Sequence, residues 1–409
     1  MFIDDKIAER LGGQQFGKDT EIYKFEKIKR AKAAALKENP DRKIIDMGVG
    51  EPDKPADDSI VKVLAKEAAK AENRFYADNG IAEFQEAAGK FMEDIYGVKI
   101  ENPRQQIIHG IGSKPILAML PICFINPDEY ILTTSPGYPV ASTYTKYLGG
   151  KVHPLPLKEE NSFFPDFTEI PEDVLEKAKL LYICYPNNPT GQVATKEFFE
   201  KVVSFARENN IFVVHDAAYS ALTFDDYSPL SFLSVKGAMD VGVEIHSLSK
   251  SFNMTGWRLA FVVGNEKVIS AYGTVKDNTD SGQFRAIQKA GVHALEHSEL
   301  LDINRERYSR RFNILVEMLR EVGFDANKPM GTFYCYVKIP KGTESGIEFK
   351  NAEECSTYLI KEASISTVPW DDAGSFLRFS VTFEAADEEE EKAVIEEVGK
   401  RLKNLKLTF

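Results

Sequence analysis

Cysteine is scarce: Cys123, Cys184, Cys335 and Cys355 are scattered through 409 residues, and no two form a C-x-x-C pair. That distribution favours free thiols in a reducing cytoplasm over a disulfide framework. Histidine is thin too, with six in all. His293 and His297 stand four apart but lack the H-E-x-x-H glutamate of a zinc hydrolase, so they read as helix-surface residues and no metal is expected. Long apolar runs are missing. The longest, near Ile116–Ile125, contains Pro121 and is too short to span a membrane. An excess of basic residues is missing as well: 51 Lys and Arg against 63 Asp and Glu leave a net charge of −12, which argues against nucleic acid as a partner. The start, Met1-Phe2-Ile3-Asp4-Asp5, has no signal-peptide core, and the expectation is a soluble, cytoplasmic chain.

What is present is an ordinary globular composition, 43% hydrophobic and 28% charged, on a chain long enough for two domains. There are no repeats and no low-complexity linker. Val- and Ile-rich segments alternate with amphipathic stretches, which predicts an α/β chain with a largely parallel sheet. Strands are expected at 106–109, 130–134, 180–185, 211–215, 243–247 and 259–263, with a helix at 196–209 among them. A second block begins near residue 300. It has a long helix at 301–322, strands at 333–337 and 376–381, and a closing helix at 388–405. The acidic run Asp387 to Glu391 reads as the start of that last helix, with Val394, Val398, Leu402 and Leu405 on one face. The expected division is an N-terminal arm with part of a small domain (1–59), a large domain (60–298) and a C-terminal small domain (299–409).

Ser247-Leu248-Ser249-Lys250, followed by Arg258, is the most telling string. A lysine amine forms a Schiff base with an aldehyde, while hydroxyls and a guanidinium hold a phosphate. Together they point to pyridoxal phosphate, with Lys250 as its partner and Ser247, Ser249 and Arg258 as phosphate ligands. Other parts lie upstream. Asp216 closes an apolar strand, where ligands bind in open α/β sheets, and suits a pyridinium nitrogen. Tyr219, three residues on, suits the cofactor's phenolic oxygen. Asn188, in Pro186-Asn187-Asn188-Pro189-Thr190-Gly191, suits that oxygen and a substrate carboxylate. Gly110-Ile111-Gly112-Ser113-Lys114-Pro115 turns from strand into helix and makes an anion site with Ser113 and Lys114; it lacks the third glycine of a dinucleotide fingerprint. Tyr138 suits stacking on a pyridine face, and Tyr76 suits a phosphate; either alone also reads as a core tyrosine. Arg378 interrupts an apolar strand, where a charge must be met, either by a structural ion pair or by a substrate α-carboxylate.

In this order, Tyr76, Gly112-Ser113-Lys114, Tyr138, Asn188-Pro189-Thr190-Gly191, Asp216-x-x-Tyr219, Ser247-x-x-Lys250, Arg258 and Arg378 make the chain resemble the class I/II aminotransferase superfamily, whose members are fold-type I pyridoxal-phosphate enzymes. The resemblance runs from about residue 20 to the end. It implies a large, mostly parallel sheet domain with a smaller α+β domain, amino-acid and 2-oxo-acid substrates, and a homodimer in which Tyr76 serves the neighbour's cofactor. Lys250, Asp216 and Tyr219 would be catalytic. Arg378, Asn188 and Gly50 would bind substrate.

Within the superfamily the chain is most similar to the LL-diaminopimelate aminotransferases. The matching strings are Tyr23-Lys24-Phe25-Glu26-Lys27-Ile28 and Glu160-Asn161-Ser162-Phe163-Phe164-Pro165-Asp166, with Lys114 after the phosphate-loop serine. This implies that Tyr23, Lys114 and Asp78 read the distal end of the substrate. Two places depart from that family: the loop Tyr76-Ala77-Asp78-Asn79-Gly80 lacks the usual glutamate and is one residue shorter, and Pro369-Trp370 replaces Pro-Gly. Aspartate, alanine or aromatic aminotransferase, β-lyase, and a non-catalytic regulator on the same fold are the rival readings.

Overall fold

The computed structural model describes residue 3, residues 6–18 and residues 24–409. A short strand, β1 (Ile45–Asp46), precedes a seven-stranded sheet. The sheet comprises β2 (Ile107–Gly110), β3 (Tyr130–Ser135), β4 (Lys151–Pro156), β5 (Ala178–Cys184), β6 (Phe212–Asp216), β7 (Gly242–Ser247) and β8 (Ala260–Gly264). Their order is β2-β8-β7-β6-β5-β3-β4. All neighbours are parallel except β8, which runs against both β2 and β7. Strands β2, β7 and β8 are buried on both faces; β8 is the unbroken apolar run such a place favours, whereas β2 carries buried His109 and β7 buried Glu244 and His246. One face is covered by the helices Ser113–Phe124 and Glu266–Asp277, through Ile116, Leu120 and Tyr272. The other is covered by Ala82–Tyr96, Lys196–Glu208 and Arg285–Glu296, through Phe84, Phe199 and Ala290.

Each strand expected in this sheet is present within one or two residues of its expected bounds. The exception is β4, which the sequence did not announce. It carries Pro154 and Pro156, which remove backbone donors, and it lies at the sheet's edge with most of its residues part-exposed. Only an edge strand tolerates that sequence.

The second unit holds β9 (Tyr334–Lys338), β10 (Gly342–Thr343), β11 (Ile365–Ser366), β12 (Val368–Trp370), β13 (Phe376–Ser380) and β14 (Leu407–Thr408). Strands β12, β13 and β9 form an antiparallel sheet. The helices Leu300–Val322 and Glu388–Asn404 pack beside it through Phe312, Leu315, Ile395, Val398 and Leu402. Asp387 caps the last helix, accepting from the Glu390 N–H at 2.9 Å, so the acidic run is a helix start as expected. Parallel pairing of β1 with β11 draws the N-terminal segment onto this unit. Its core also takes in Ala218, Tyr219, Leu222 and Phe224 from the loop after β6, so the two bodies interlock around that loop.

His293 and His297 lie side by side, part-buried on their helix, and all four cysteines are free. Among the described residues no helix is long and apolar enough to cross a membrane.

Arg311, fully buried in the long helix, ties the ends of the chain together. Its Nη2 donates to Asp53 Oδ2 at 3.0 Å and its Nε to Glu391 Oε1 at 2.9 Å. Its Nη1 donates to the Val381 and Phe383 carbonyls at 2.7 and 3.0 Å. Removing the guanidinium leaves two buried carboxylates without their common partner. Arg311→Met is therefore expected to destabilise the fold by about 3–5 kcal/mol, read as a lower unfolding midpoint in urea.

Candidate active site

The site follows from strand direction. Because β2, β7, β6, β5 and β3 run the same way, their C-terminal ends line up along one edge of the sheet. Antiparallel β8 begins at that edge, and Gly110, Ala260 and Ser247 stand side by side in register. Cys184 and Asp216 are likewise paired. The loops that follow Gly110, Ser135, Cys184, Asp216 and Ser247, together with the turn that precedes Ala260, therefore converge, as the rule for open α/β sheets requires. They enclose a cavity of about 620 Å³.

One wall is an anion cradle. Gly112 caps the helix Ser113–Phe124 with φ +80°, and Ser113 and Lys114 open its first turn on the cavity. A Cβ at Gly112 would run into the Arg258 guanidinium, so only glycine lets that arginine lie against the loop. Arg258 itself has φ +56° and donates through Nη1 to the Thr255 carbonyl at 2.8 Å and to Ser249 Oγ at 3.3 Å. Ser247 caps the short helix Leu248–Ser251, its Oγ accepting from the Ser249 N–H at 3.2 Å, and it still lines the cavity. Helix amides, three hydroxyls and a guanidinium make a donor set that fits a phosphate.

Lys250 enters the same cavity, and its Nζ donates to the Gly50 carbonyl at 2.7 Å. Burial pushes its amine down to about 8. The Arg258 and Arg378 guanidiniums act the same way, against the opposing pull of Glu51 and Asp216. Asp216 is buried at the end of β6. Burial pushes its carboxyl up, opposed by the Tyr182 hydroxyl, which donates to Oδ2 at 3.1 Å, and by His215 and the Ala218 N–H. A cationic ring nitrogen is the counter-charge this carboxylate suits. Tyr219 meets Tyr334, hydroxyl to hydroxyl, at 3.3 Å, and Tyr138 is half-buried on the cavity wall.

The opposite wall is Arg378, on β13 and only 3% exposed. Among the described residues no carboxylate pairs with it. Its Nη1 donates to Asn188 Oδ1 at 2.8 Å and its Nη2 to the Gly48 carbonyl at 3.0 Å. The guanidinium lies 3.9 Å over the Tyr334 ring. Its Nε is buried without a hydrogen-bond partner. The structural ion pair weighed from sequence is thus not there, and a guanidinium on the cavity wall with a donor to spare suits an incoming carboxylate.

The cavity brings together Gly50, Ser113, Lys114, Tyr138, Asn188, Asp216, Tyr219, Ser247, Ser249, Lys250, Arg258 and Arg378. It does not include Tyr76 or Asp78. Both are exposed on the loop before Gly80, Tyr76 at 78%. Tyr23 lies outside the described residues. Sequence reasoning missed Tyr182, Tyr334 and Asp372. Tyr334, Trp370 and Asp372 line the cavity, and Tyr182 backs Asp216. Trp370 was visible only as a departure from the expected Pro-Gly, and the two tyrosines look like alternating strand residues.

Fold and site together define a fold-type I pyridoxal-phosphate enzyme. The sequence profile described as aminotransferase class I and II matches residues 42–396, and the chain belongs to that family, a family of pyridoxal-phosphate-dependent transaminases. It is 57% identical to the LL-diaminopimelate aminotransferase of Methanocaldococcus jannaschii, over 100% of this chain and 99% of that one. It is 54% identical to the enzyme of the same name from Methanococcus maripaludis, again over 100% and 99%. Among solved structures it is similar to substrate-bound BacF from Bacillus subtilis, with a TM-score of 0.87, 33% identity and 98% of each chain covered.

An amine brought down to about 8 is half neutral at pH 8, whereas an ordinary lysine is less than about 1% neutral there. In cofactor-free protein, modification of Lys250 by an amine-directed reagent should accelerate with pH through about 8 and level off between about pH 9 and 10. Mass spectrometry of the Lys250 peptide measures it. A rate still climbing steeply at pH 10 contradicts the geometry.

Proposed function

We propose that the chain is an LL-diaminopimelate aminotransferase of lysine biosynthesis. In this reading it exchanges an amino group between LL-diaminopimelate and 2-oxoglutarate, and in the biosynthetic direction it forms LL-diaminopimelate from tetrahydrodipicolinate and glutamate. The observation that supports the reaction most is one cavity lined by Lys250, Asp216, Asn188 and Arg378. The full-length identity to relatives of that name supports the substrate.

Pyridoxal phosphate supplies, when bound, an aldehyde that takes up amino groups and a ring that accepts the electron pair left at Cα. The residues divide the remaining work. Ser113, Ser247, Ser249, Arg258 and the first amides of the helix Ser113–Phe124 would hold the phosphate. Tyr138 would stack on the ring. Asp216 would keep the ring nitrogen protonated, and Tyr219 and the Asn188 amide would donate to the phenolic oxygen. Asn188 Oδ1 is already turned to Arg378, which leaves its NH2 for that task. Arg378 and Asn188 bind the α-carboxylate and set the Cα–H bond facing Lys250. The Lys250 Nζ removes the Cα proton and returns one, as base and then acid. An amine near 8 changes state readily at neutral pH, which suits both halves of that work.

Residues 60–298 form the cofactor-binding body, and 299–409 with 1–59 form the unit that closes on substrate; Tyr334, Arg378 and Gly50 support that division because each lines the cavity from outside the large sheet. The enzyme works as a homodimer in which Tyr76 reaches the neighbour's phosphate. High exposure of Tyr76, on a loop that avoids its own cavity, supports this. Lys114, Asp78 and Tyr23 are the candidates for the distal ammonium and carboxylate, Asp78 again from the neighbour. Free thiols support a reducing, cytoplasmic setting.

Lys250→Ala should abolish transamination, a loss of at least about a thousandfold in kcat; appreciable turnover would remove Lys250 as the base. A kinetic panel with 2-oxoglutarate as acceptor tests the substrate. LL-diaminopimelate should exceed aspartate, alanine, phenylalanine and meso-diaminopimelate in kcat/KM by about 100-fold or more, the discrimination expected where buried polar groups need a matching partner. Preference for one of the others, or pyruvate and ammonia released without an acceptor, would overturn the assignment.

A further inference from the structure

The loop that carries Tyr76 rests on a platform the reaction itself does not use. Lys276, at the end of the helix Glu266–Asp277, is fully buried, and its Nζ donates to the Asp78 carbonyl at 2.8 Å. Its counter-ion is Asp280, one helical turn on, whose Oδ1 accepts from Lys276 Nζ and also from the Gly282 N–H at 2.8 Å. Gly282 lies flat under the loop: a Cβ there would stand 2.6 Å from the Asp78 nitrogen. Arg285 Nη2 donates to the Tyr76 carbonyl at 2.7 Å, Asn79 Nδ2 to Asp277 Oδ1 at 2.9 Å, and the Ile81 N–H to Gln288 Oε1 at 2.9 Å. The segment from Tyr76 to Ile81 is thus pinned at four points by one stretch, residues 276–288, three through its backbone and one through the Asn79 side chain. Its tyrosine side chain, by contrast, points outward and is 78% exposed.

Burying an ammonium is costly, and an apolar residue would fill the same space without that cost. What the pair adds is a fixed position for the Asp78 carbonyl. We propose that Lys276 and Asp280 are positioning residues for the neighbouring subunit's cofactor pocket, holding the Tyr76 loop at the height at which its hydroxyl meets the neighbour's phosphate. This rests on the homodimer reading above. Among the described residues, Lys276 donates only to the loop and to Asp280. The brace on the chain's own phosphate arginine is a different residue, Gln283, whose Nε2 donates to the Trp257 and Arg258 carbonyls at 2.6 Å each. An effect of Lys276 should therefore fall on the partner's site and spare its own.

Mixed dimers of differently tagged chains separate the two. In the first, a wild-type chain is paired with one carrying Lys250→Ala and Lys276→Met. The single pocket with a lysine then receives its Tyr76 from the altered platform. In the second, a Lys276→Met chain is paired with a Lys250→Ala chain, so the pocket with a lysine receives Tyr76 from an intact platform. Release of lysine-bound pyridoxal phosphate on dilution, followed by its absorbance, should be about tenfold faster in the first dimer and at the wild-type rate in the second. A defect in the second dimer, equal defects in both, or none in either overturns the proposal. Tyr76→Phe, taken through the same two pairings, tests the foundation: a Tyr76 effect confined to its own pocket sinks the cross-subunit reading. A cross-subunit Tyr76 effect without one from Lys276 sinks this inference alone. Should Lys276→Met fail to assemble, Lys276→Met with Asp280→Asn, which leaves no unpaired buried charge, takes its place.

Discussion

Arg378 carries a positive charge into an almost closed strand position where, among the described residues, no carboxylate meets it. Its neighbours are neutral: the Asn188 amide, the Gly48 carbonyl and the face of Tyr334. These come from the large sheet's loops, the N-terminal segment and the second unit. The guanidinium therefore gathers three parts of the chain by dipoles and a π face, which compensate a charge only in part. A carboxylate completes the set. Geometry that holds the fold together in this region is the same geometry that, on the proposed function, would select an acid substrate.

The opposite side of the cavity is arranged with the reverse logic. Asp216 is a carboxylate pushed toward neutrality by burial, relieved only by a tyrosine hydroxyl, a backbone amide and nearby histidines. Lys250 lies between, brought down by burial and by the two flanking arginines. Each wall offers a charge that a zwitterionic amino acid on a protonated pyridine ring would match.

Most of the site was legible in the sequence because strand ends are legible. Asp216, Ser247 and Gly110 each close a Val- or Ile-bearing strand, and parallel strands put such ends on one edge. Arg258 was legible only as a motif partner of Lys250; its place follows from β8 running backwards, which periodicity does not reveal. Edge strand β4 was missed because its two prolines contradict strand propensity and only its position excuses them. Tyr334 and Tyr182 were missed because a tyrosine that orients a charge looks, in sequence, like a tyrosine that fills a core. Tyr76 and Asp78 differ again: both stand outside the cavity their motif suggests, and the second chain that would place them is not written in the first.

The Arg311 clamp has a bearing on synthesis. It joins Asp53, close to the start, with Glu391, close to the end, and Arg378 likewise reaches back to Gly48 across 330 residues. Large sheet and phosphate cradle are complete once residue 264 has been made, well before either contact exists. On the proposed function, a nascent chain would thus carry a cofactor seat, with its lysine, before it carries the wall proposed to select an amino acid. On that same reading, reactive chemistry without selectivity would be confined to the interval between those two events.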